Sequence, residues 1–198
     1  MAVTKIYIYG FSGHGAVVAD VARACGYAEV AFLDDSKFDG KNVFKFDPSL
    51  EKADVIVAIG DNKIRRILQE RVKNAGFVLV NLIHPSAVVS KSAQIGEGAV
   101  VMPNAVINAR AVVGEGAIIN TGAIIEHDCE IGDFAHVSPN AALAGGVIVG
   151  ASTHVGIGSC AIQCVKIGTN CTIGAGSVVV RDIADGSVAY GNPAKVRR

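Results

Sequence analysis

Aliphatic side chains return at every sixth position from Ile83 to Val179. Only Ala161 in this register is not Leu, Ile or Val, and four residues after nearly every member lies a small or β-branched residue. A period of six fits neither the 3.6-residue period of a helix nor the two-residue alternation of a strand. It is typical of a parallel β-helix, in which each six-residue unit is one short strand and a turn.

Three such units would close one triangular coil, so residues eighteen apart would occupy the same place on successive coils. The aliphatic residue would point into the prism, and the small residue would fit where the chain bends inward. Coils spaced by about 4.8 Å would give roughly five coils and a length of about 25 Å. The unbroken register predicts that no long loop interrupts the prism.

The first eighty residues alternate between strand and helix patterns, which predicts a small parallel α/β sheet of Rossmann-like type. The predicted strands are Lys5–Tyr9, Glu29–Leu33, Val55–Ile59 and Phe77–Ile83, and the predicted helices are Ala16–Cys25 and a segment from Asp61 or Asn62 to about Asn74. Residues 36–52 are expected to form a loop with at most a short turn. We therefore expect an α/β nucleotide-sugar-binding domain over residues 1–82 and an all-β domain with a short tail over residues 83–198.

Composition narrows the classes of function. The 198 residues include eighteen basic and eighteen acidic side chains, so there is no electrostatic case for nucleic acid or an anionic membrane as a partner. The first apolar segment ends at Gly10 and is too short for a secretion signal or a membrane span. Two of the five cysteines, Cys129 and Cys171, fall on inward positions, which favours reduced thiols and a cytoplasmic protein.

Three polar segments follow predicted strands and should meet at one edge of the sheet, where such sheets bind ligands. They are Gly10–Gly15, the pair Asp34 and Asp35, and Gly60–Asn62. Glycines would allow phosphate to approach backbone N–H groups, and a carboxylate could bind a ribose hydroxyl. The glycine spacing differs from the dinucleotide motif, so nucleotide binding and a merely tight turn remain equal alternatives.

The histidines of the β-helix are the other candidates for chemistry. His127 lies at an outward turn between Glu126 and Asp128, either of which could orient its ring as a general base, and a solvated polar corner is the alternative. His136 and His154 are eighteen residues apart, so they could be stacked surface residues, a metal pair or part of a cofactor groove. A zinc hydratase of the γ-carbonic anhydrase kind is disfavoured because its closely spaced histidine pair is absent.

Several segments carry a resemblance to a known family: Tyr9–Gly15, Leu33–Asp35, Glu126–Cys129 and Gly191–Lys195. With the six-residue repeat, they resemble the NeuD-type sugar acetyltransferases, whose repeat forms a left-handed parallel β-helix. The resemblance implies a homotrimer with active sites between adjacent subunits, acetyl-CoA as co-substrate, and no metal.

The resemblance also implies roles for individual residues. His127 matches the catalytic base, and Asp128 matches the acidic residue that raises its basicity, although the family member compared has Glu there. From the chemistry itself, the tetrahedral oxyanion needs a fixed donor, and a backbone N–H within Ala144–Gly146, with Gly145 as the central residue, is the candidate. Residues implied around the nucleotide sugar are Gly10, Ser12, Gly13, His14, Asp34, Asp35, Gly60, Asn62 and Asn120, and those implied around acetyl-CoA are His136, Gly145, Ile157 and Ala175.

We therefore expect an acetyl-CoA-dependent N-acetyltransferase acting on the 4-amino group of a UDP-linked amino-deoxy sugar. The resemblance places this reaction in UDP-N,N'-diacetylbacillosamine synthesis for glycosylation. Alternatives that keep the fold are O-acetylation of a sialic acid and N-acetylation of a GDP- or dTDP-linked amino sugar. A further alternative is a trimeric scaffold that binds nucleotide sugars without catalysis.

Overall fold

The computed structural model describes residues 5–197, which form a parallel sheet with two helices followed by a long three-sided prism. The first part consists of β1 (Lys5–Tyr9), α1 (Gly13–Ala24), β2 (Glu29–Leu33), β3 (Val43–Phe44), β4 (Asp54–Val57), α2 (Asn62–Asn74) and β5 (Val78–Leu79). Its strands pair in the order β3-β2-β1-β4-β5, and every pair is parallel. The predicted α/β sheet is thus confirmed.

Three details of this part differ from the prediction. Helix α1 begins three residues early because the Ser12 hydroxyl accepts a hydrogen bond from the N–H of Gly15 at 3.4 Å and so caps the helix. The segment predicted as a loop contains the short strand β3, which extends the sheet beside β2. The predicted strand Phe77–Ile83 is wrong because the chain changes sheets within it: the N–H of Val80 still bonds β4, whereas that of Leu82 bonds the prism.

The prism is a left-handed parallel β-helix made of two-residue strands. These are β6 (Leu82–Ile83), β7 (Val88–Val89), β8 (Gln94–Ile95), β9 (Val100–Val101), β10 (Val106–Ile107), β11 (Val112–Val113), β12 (Ile118–Ile119), β13 (Ile124–Ile125), β14 (Glu130–Ile131), β15 (His136–Val137), β16 (Ala142–Leu143), β17 (Ile148–Val149), β18 (His154–Val155), β19 (Cys160–Ala161), β20 (Lys166–Ile167), β21 (Thr172–Ile173) and β22 (Val178–Val179), followed by β23 (Val188–Tyr190) and β24 (Lys195–Val196). Every third strand belongs to the same sheet.

The three sheets are the faces of the prism. The first face contains β6, β9, β12, β15, β18 and β21 and continues into β23 and β24; the second runs from β7 to β22, and the third from β8 to β20. Residues eighteen apart pair across each face, as Ile107 with Ile125 and Ile125 with Leu143. This register confirms three six-residue units in each coil.

The core of the prism follows the six-residue pattern. Inward aliphatic side chains such as Ile119 and Ile125 are fully buried, as are alanines such as Ala117 at the bends. Burying a side chain of Val, Leu or Ile contributes roughly 1.5–3 kcal/mol, so the repeated register supplies most of the stabilisation of this part. Cys129 and Cys171 are buried at inward positions, as predicted.

We call the turn between the first and second faces the first corner, that between the second and third faces the second corner, and that between the third and first faces the third corner. The α/β part packs on the first face, where Ile6, Ile8 and Val18 share a buried cluster with Leu82 and Val100. Across a triangular section, the second corner lies opposite this face. No helix among residues 5–197 is long and apolar enough to cross a membrane.

The side chain of Arg65 on α2 ties the two parts together. It is 1% exposed, its Nε donates to the carbonyl oxygen of Gly116 at 2.7 Å, and its Nη2 donates to that of Phe134 at 2.7 Å. Its Nη1 donates to the carbonyl oxygen of Ile59 at 2.9 Å. The loop after β4 is therefore fixed against the third corner of the prism.

Candidate active site

His127 and Asp128 form a contact pair at the second corner. The ring Nδ1 lies 2.8 Å from Oδ2 of Asp128, and 58% of the His127 side chain is exposed. Glu126 does not contact the ring, because its Oε2 accepts from the backbone N–H of His127 at 3.2 Å. When Nδ1 donates its proton to Asp128, the other ring nitrogen, Nε2, is left free to accept one.

A second side chain holds Asp128 from the coil above. Arg110 donates from Nε to Oδ1 at 2.6 Å and from Nη2 to Oδ2 at 2.8 Å. These charged hydrogen bonds, together with that of His127, hold the pKa of Asp128 well below its usual range. Arg110 was not a predicted site residue, although its position eighteen residues before Asp128 is the signal that would have found it.

Gly145 lies directly beneath the His127 ring, one coil below. A Cβ at Gly145 would lie 2.6 Å from both Cε1 and Nε2 of the ring. The N–H groups on either side bond to other coils, that of Ala144 to the carbonyl oxygen of Ala161 and that of Gly146 to that of His127. Within residues 5–197 the N–H of Gly145 donates to no protein group, so one unpaired donor lies beside the candidate base.

The glycine turn after β1 is built by close packing. A Cβ at Gly15 would overlap the carbonyl oxygen of Gly10, and one at Gly10 would lie 2.7 Å from the carbonyl oxygen of Ala58. A Cβ at Gly13 would meet nothing within 4 Å. The tight-turn interpretation therefore accounts for Gly10 and Gly15, while Gly13 and the exposed Ser12 open the first turn of α1 to solvent.

The two predicted carboxylates after β2 make contacts within the protein. Partial burial opposes ionisation of Asp34, but hydrogen bonds from Ser36, Phe11 and Lys37 hold its pKa below the ordinary value. The Oδ2 of Asp35 accepts from the hydroxyl of Tyr9 at 2.7 Å, and Arg71 pairs with the same carboxylate oxygen. Both carboxylates therefore brace the edge of the sheet where they were predicted to bind a nucleotide.

Three histidines line the junction between α1 and the first face. The ring centroids of His14 and His136 are 6.5 Å apart, and those of His136 and His154 are 4.8 Å apart. Burial lowers the pKa of His14 to about 4 and that of His136 to about 3, and it also lowers the pKa of His154. These rings are therefore neutral at physiological pH. His136 and His154 pair on neighbouring strands of one face, as their spacing predicted.

The predicted substrate residues Asn120, Gly60 and Asn62 lie around this junction. The Nδ2 of Asn120 is 3.0 Å from Nε2 of His136. Gly60 and Asn62 line a cleft of about 350 Å³ between the start of α2 and the lower coils, with His154 on its opposite wall. The carboxylate of Asp61 caps α2 by accepting from the N–H groups of Lys63 and Ile64, so of the two predicted starts the helix begins at Asn62. This edge of the α/β part is therefore polar and concave.

The predicted coenzyme residues do not lie together on one chain. Gly145 is at the second corner, whereas Ile157 and Ala175 are exposed at the first corner. His136 is 8% exposed and lies beneath the α/β part. The glycine turn and His127 are likewise on opposite sides of the prism. Within residues 5–197 no group of three or more His, Cys, Asp or Glu side chains is arranged to hold a metal ion.

Comparison with protein families gives two matches. Residues 5–72 match the family described as the PglD N-terminal domain, and residues 110–145 match the six-repeat bacterial transferase hexapeptide family. These segments are the α/β part and the middle of the prism, which includes the second-corner site.

Solved structures extend the similarity to nearly the whole chain. PerB from Caulobacter crescentus, in complex with CoA and GDP-perosamine, is 45% identical, with a TM-score of 0.93 and coverage of 98% of this chain and 97% of that one. The acetyltransferase domain of PglB from Neisseria gonorrhoeae FA1090, in complex with acetyl coenzyme A, is 43% identical, with a TM-score of 0.90 and coverage of 97% and 98%.

A curated relative matches over a shorter length. UDP-N-acetylbacillosamine N-acetyltransferase from Bacillus subtilis (strain 168) is 40% identical over 110 residues, which are 50% of this chain and 51% of that protein. The aligned part thus spans about half the length of that relative.

Proposed function

Because this chain belongs to the left-handed β-helix (hexapeptide-repeat) sugar acetyltransferases that carry a PglD-type amino-terminal domain, we propose that it N-acetylates a nucleotide-linked amino sugar. The acyl donor is acetyl-CoA, and the acceptor is the 4-amino group of a UDP-linked amino-deoxy sugar. The observation that carries this proposal is the position of the His127 ring, which is more than half exposed and packs over Gly145, whose N–H has no partner among residues 5–197.

The proposed base is His127. An amine attacks a thioester only as its free base, so a group near the amine must accept a proton as the new C–N bond forms. With Nδ1–H donated to Asp128, Nε2 is the accepting atom. The imidazolium then donates the proton taken from the amine to the departing thiolate of coenzyme A. Atoms and charge therefore balance without a covalent acyl-enzyme.

The proposed oxyanion donor is the N–H of Gly145. The thioester carbonyl oxygen gains negative charge as the amine adds, and a fixed donor that has no other partner stabilises that charge. One such donor is typically worth about 3 kcal/mol in the transition state. Gly145 also lacks a side chain that would push His127 away, so the same residue supports both roles.

We propose that the site is completed by a second copy of the chain in a homotrimer. The α/β part that would hold the nucleotide lies on the first face, while His127 lies at the opposite corner, so one chain cannot present both to one small substrate. The outward row of the second face is apolar and exposes Val88 and Ile124, and the third face exposes Val112 and Ile148 between polar residues. Burial of these rows between adjacent prisms would bring first and second corners of neighbouring copies together.

In that arrangement the nucleotide sugar lies against the α/β part of one copy, near Ser12, Gly13 and His14. Its amino group reaches the second corner of the next copy. The acetyl-CoA groove then runs between prisms, with Gly145 from one copy and Ile157 and Ala175 from another. His136 is proposed to shape the junction, since its buried position gives it little open surface for the coenzyme.

A GDP-linked amino sugar is the second candidate acceptor. It is favoured by the similarity to PerB, which covers nearly the whole chain and was solved with GDP-perosamine bound. The UDP-linked acceptor is supported by the shorter match to the Bacillus subtilis relative. Both candidates undergo the same acetyl transfer and differ only in the nucleobase and the sugar of the acceptor.

The test is thiol release from acetyl-CoA with a panel of acceptors: UDP-4-amino-4,6-dideoxy-N-acetylglucosamine, GDP-perosamine, a dTDP-linked 4-amino sugar and a sialic acid. His127→Ala should lower kcat by about 10² or more, the usual size of a lost general base. The matched control is His84→Ala, whose ring, among residues 5–197, bonds only Ser86, in the first coil of the prism.

Turnover with the UDP acceptor that is lost in His127→Ala supports the full proposal. A preference for GDP-perosamine would show that the acceptor is GDP-linked and not UDP-linked. Equal turnover of His127→Ala and the parent would show that His127 is not the general base. No turnover with any acceptor favours the binding scaffold, and stoichiometric zinc by elemental analysis would favour a metal hydratase.

A further inference from the structure

The carboxylate that contacts His127 is held by a fork of two hydrogen bonds. Arg110 and Asp128 are both left-handed turn residues, with φ of 60° and 59°, and lie one above the other on successive coils of the second corner. The guanidinium donates to both carboxylate oxygens, at 2.6 Å and 2.8 Å. The second of these oxygens, Oδ2, also contacts Nδ1 of His127 at 2.8 Å. The three side chains therefore form one chain of contacts.

This geometry restricts Asp128 in a way that His127 alone does not. The Asp128 side chain is 43% exposed, so a single hydrogen bond to an exposed ring would leave the carboxylate free to rotate toward solvent. A guanidinium that binds both oxygens fixes the plane of the carboxylate as well as its position. The orientation of Oδ2, and through it the ring of His127, then depends on Arg110.

We propose that Arg110 is a positioning residue for the acetyl transfer, acting on the base through Asp128. The inference rests on the proposed function of His127. Arg110 fixes the carboxylate so that Oδ2 holds Nδ1–H and Nε2 is presented above Gly145.

Arg110 should also affect the pH dependence of the reaction. The groups that face His127 are Asp128 at Nδ1, Glu126 at its backbone N–H, and Gly145 from the coil below. Cys164, one coil further down, lies beneath Gly146. The guanidinium is a cation that neutralises Asp128, so its removal leaves an unopposed carboxylate beside the ring. That carboxylate stabilises the protonated, inactive imidazolium, and the acid limb of the rate profile should move to higher pH.

Two substitutions separate orientation from charge. Arg110→Met removes both, and we expect kcat/KM at the plateau to fall about fivefold, the size expected for an exposed ion pair. We also expect the acid limb to rise by about half a pH unit, with KM for the nucleotide sugar unchanged. Arg110→Lys keeps the charge but not the fork, so its plateau should fall while its acid limb stays in place. Arg23→Met, which removes an exposed ion pair with Asp20 on α1, is the matched control and should change neither.

The double variant tests whether Arg110 acts through Asp128. In an Asp128→Asn background, Arg110→Met should cause no further loss of kcat/KM at the plateau, because Arg110 then has no carboxylate to position. An equal loss in both backgrounds would overturn the proposal, because Arg110 would then act on a substrate directly. Parent-like kinetics of Arg110→Met would overturn it as well.

An NMR titration of the His127 ring gives a readout that does not need turnover. The titration midpoint should rise by about half a unit in Arg110→Met, because the ring loses a neighbouring cation. If the parent releases no thiol with any acceptor, the proposed function fails while this titration still decides whether the contact chain exists. An unchanged midpoint in Arg110→Met would refute the contact chain itself.

Discussion

Gly145→Ala should damage catalysis without damaging the fold. Gly145 does not have a positive φ, so alanine brings no backbone strain there. The three atoms nearest to the new Cβ would all belong to the ring of His127, with Cε1 and Nε2 at 2.6 Å and Nδ1 at 3.2 Å. The ring would have to retreat by about 1 Å to reach an ordinary carbon contact of about 3.5 Å.

That displacement sets the size of the effect. It moves Nε2 away from the reacting amine and strains the 2.8 Å contact between Nδ1 and Asp128. A misplacement of about 1 Å in a reacting group can cost about 10²-fold in rate, which is the fall in kcat/KM that we expect. Because the ring is more than half exposed and can move toward solvent, the free energy of unfolding should change by no more than about 0.5 kcal/mol.

Gly132→Ala is the matched control, since Gly132 occupies a turn of the same kind at the third corner. Its Cβ would lie 2.5 Å from the backbone N of Ala151, and a backbone cannot rotate away. This variant should lose about 1–3 kcal/mol of stability and keep its turnover per folded molecule. Thiol release and thermal unfolding of both variants measure the two effects. Parent-like kcat/KM in Gly145→Ala would refute the reasoning, because the ring position would not matter.

Three further outcomes are expected. Arg65→Met leaves buried carbonyl oxygens without donors and should lower the free energy of unfolding by about 3 kcal/mol in a urea titration. A loss below about 1 kcal/mol would show that these hydrogen bonds do not hold the α/β part against the prism. Acidification from pH 7 to 5 should destabilise the chain by about 1–2 kcal/mol for each of His14 and His136, because the unfolded rings bind protons near pH 6.5 and the folded rings, with pKa values of about 4 and 3, do not. Replacing both by Gln should flatten that dependence, and an unaltered pH profile would argue against it. Ile124→Glu places a charge on the exposed row of the second face and should prevent the proposed trimer from forming, as measured by analytical ultracentrifugation, whereas a variant that still forms a trimer would place the interface elsewhere.

The prism was predictable because its pattern is local and repeated. One register from Ile83 to Val179 determines which side chains enter the core and that residues eighteen apart are neighbours, and the pairing of His136 with His154 confirms it. Strands β1 and β2 were predicted to the residue and β4 to within two residues, since each is a short apolar run, whereas β3 was missed. The change of sheets between Val80 and Leu82 was not predictable, because the apolar run continues through it and the two partners are distant in sequence.

The candidate site was predicted less completely. The sequence places His127 and Asp128 side by side but does not decide between Asp128 and Glu126, because that choice depends on the backbone conformation of a tight turn. Asp128 has a φ of 59°, which turns its carboxylate toward the ring. Arg110 and Arg65 were missed because single arginines carry no pattern. Their roles depend on which carboxylate or carbonyl oxygens the fold brings near them.

The coil of eighteen residues also limits which insertions and deletions the chain can accept. Removing eighteen consecutive residues from the lower prism would shorten it by one coil and return every later side chain to its original corner. Removing six would keep the aliphatic register and the core, yet it would rotate all later residues by one face. If the six residues were removed between His127 and Gly145, Gly145 would no longer lie beneath His127, and the chain would remain well packed with the two parts of the candidate site on different corners. Insertions and deletions of eighteen residues, or a multiple of eighteen, should therefore be compatible with activity. Those of six residues, or another multiple of six, should be compatible with folding but not with activity.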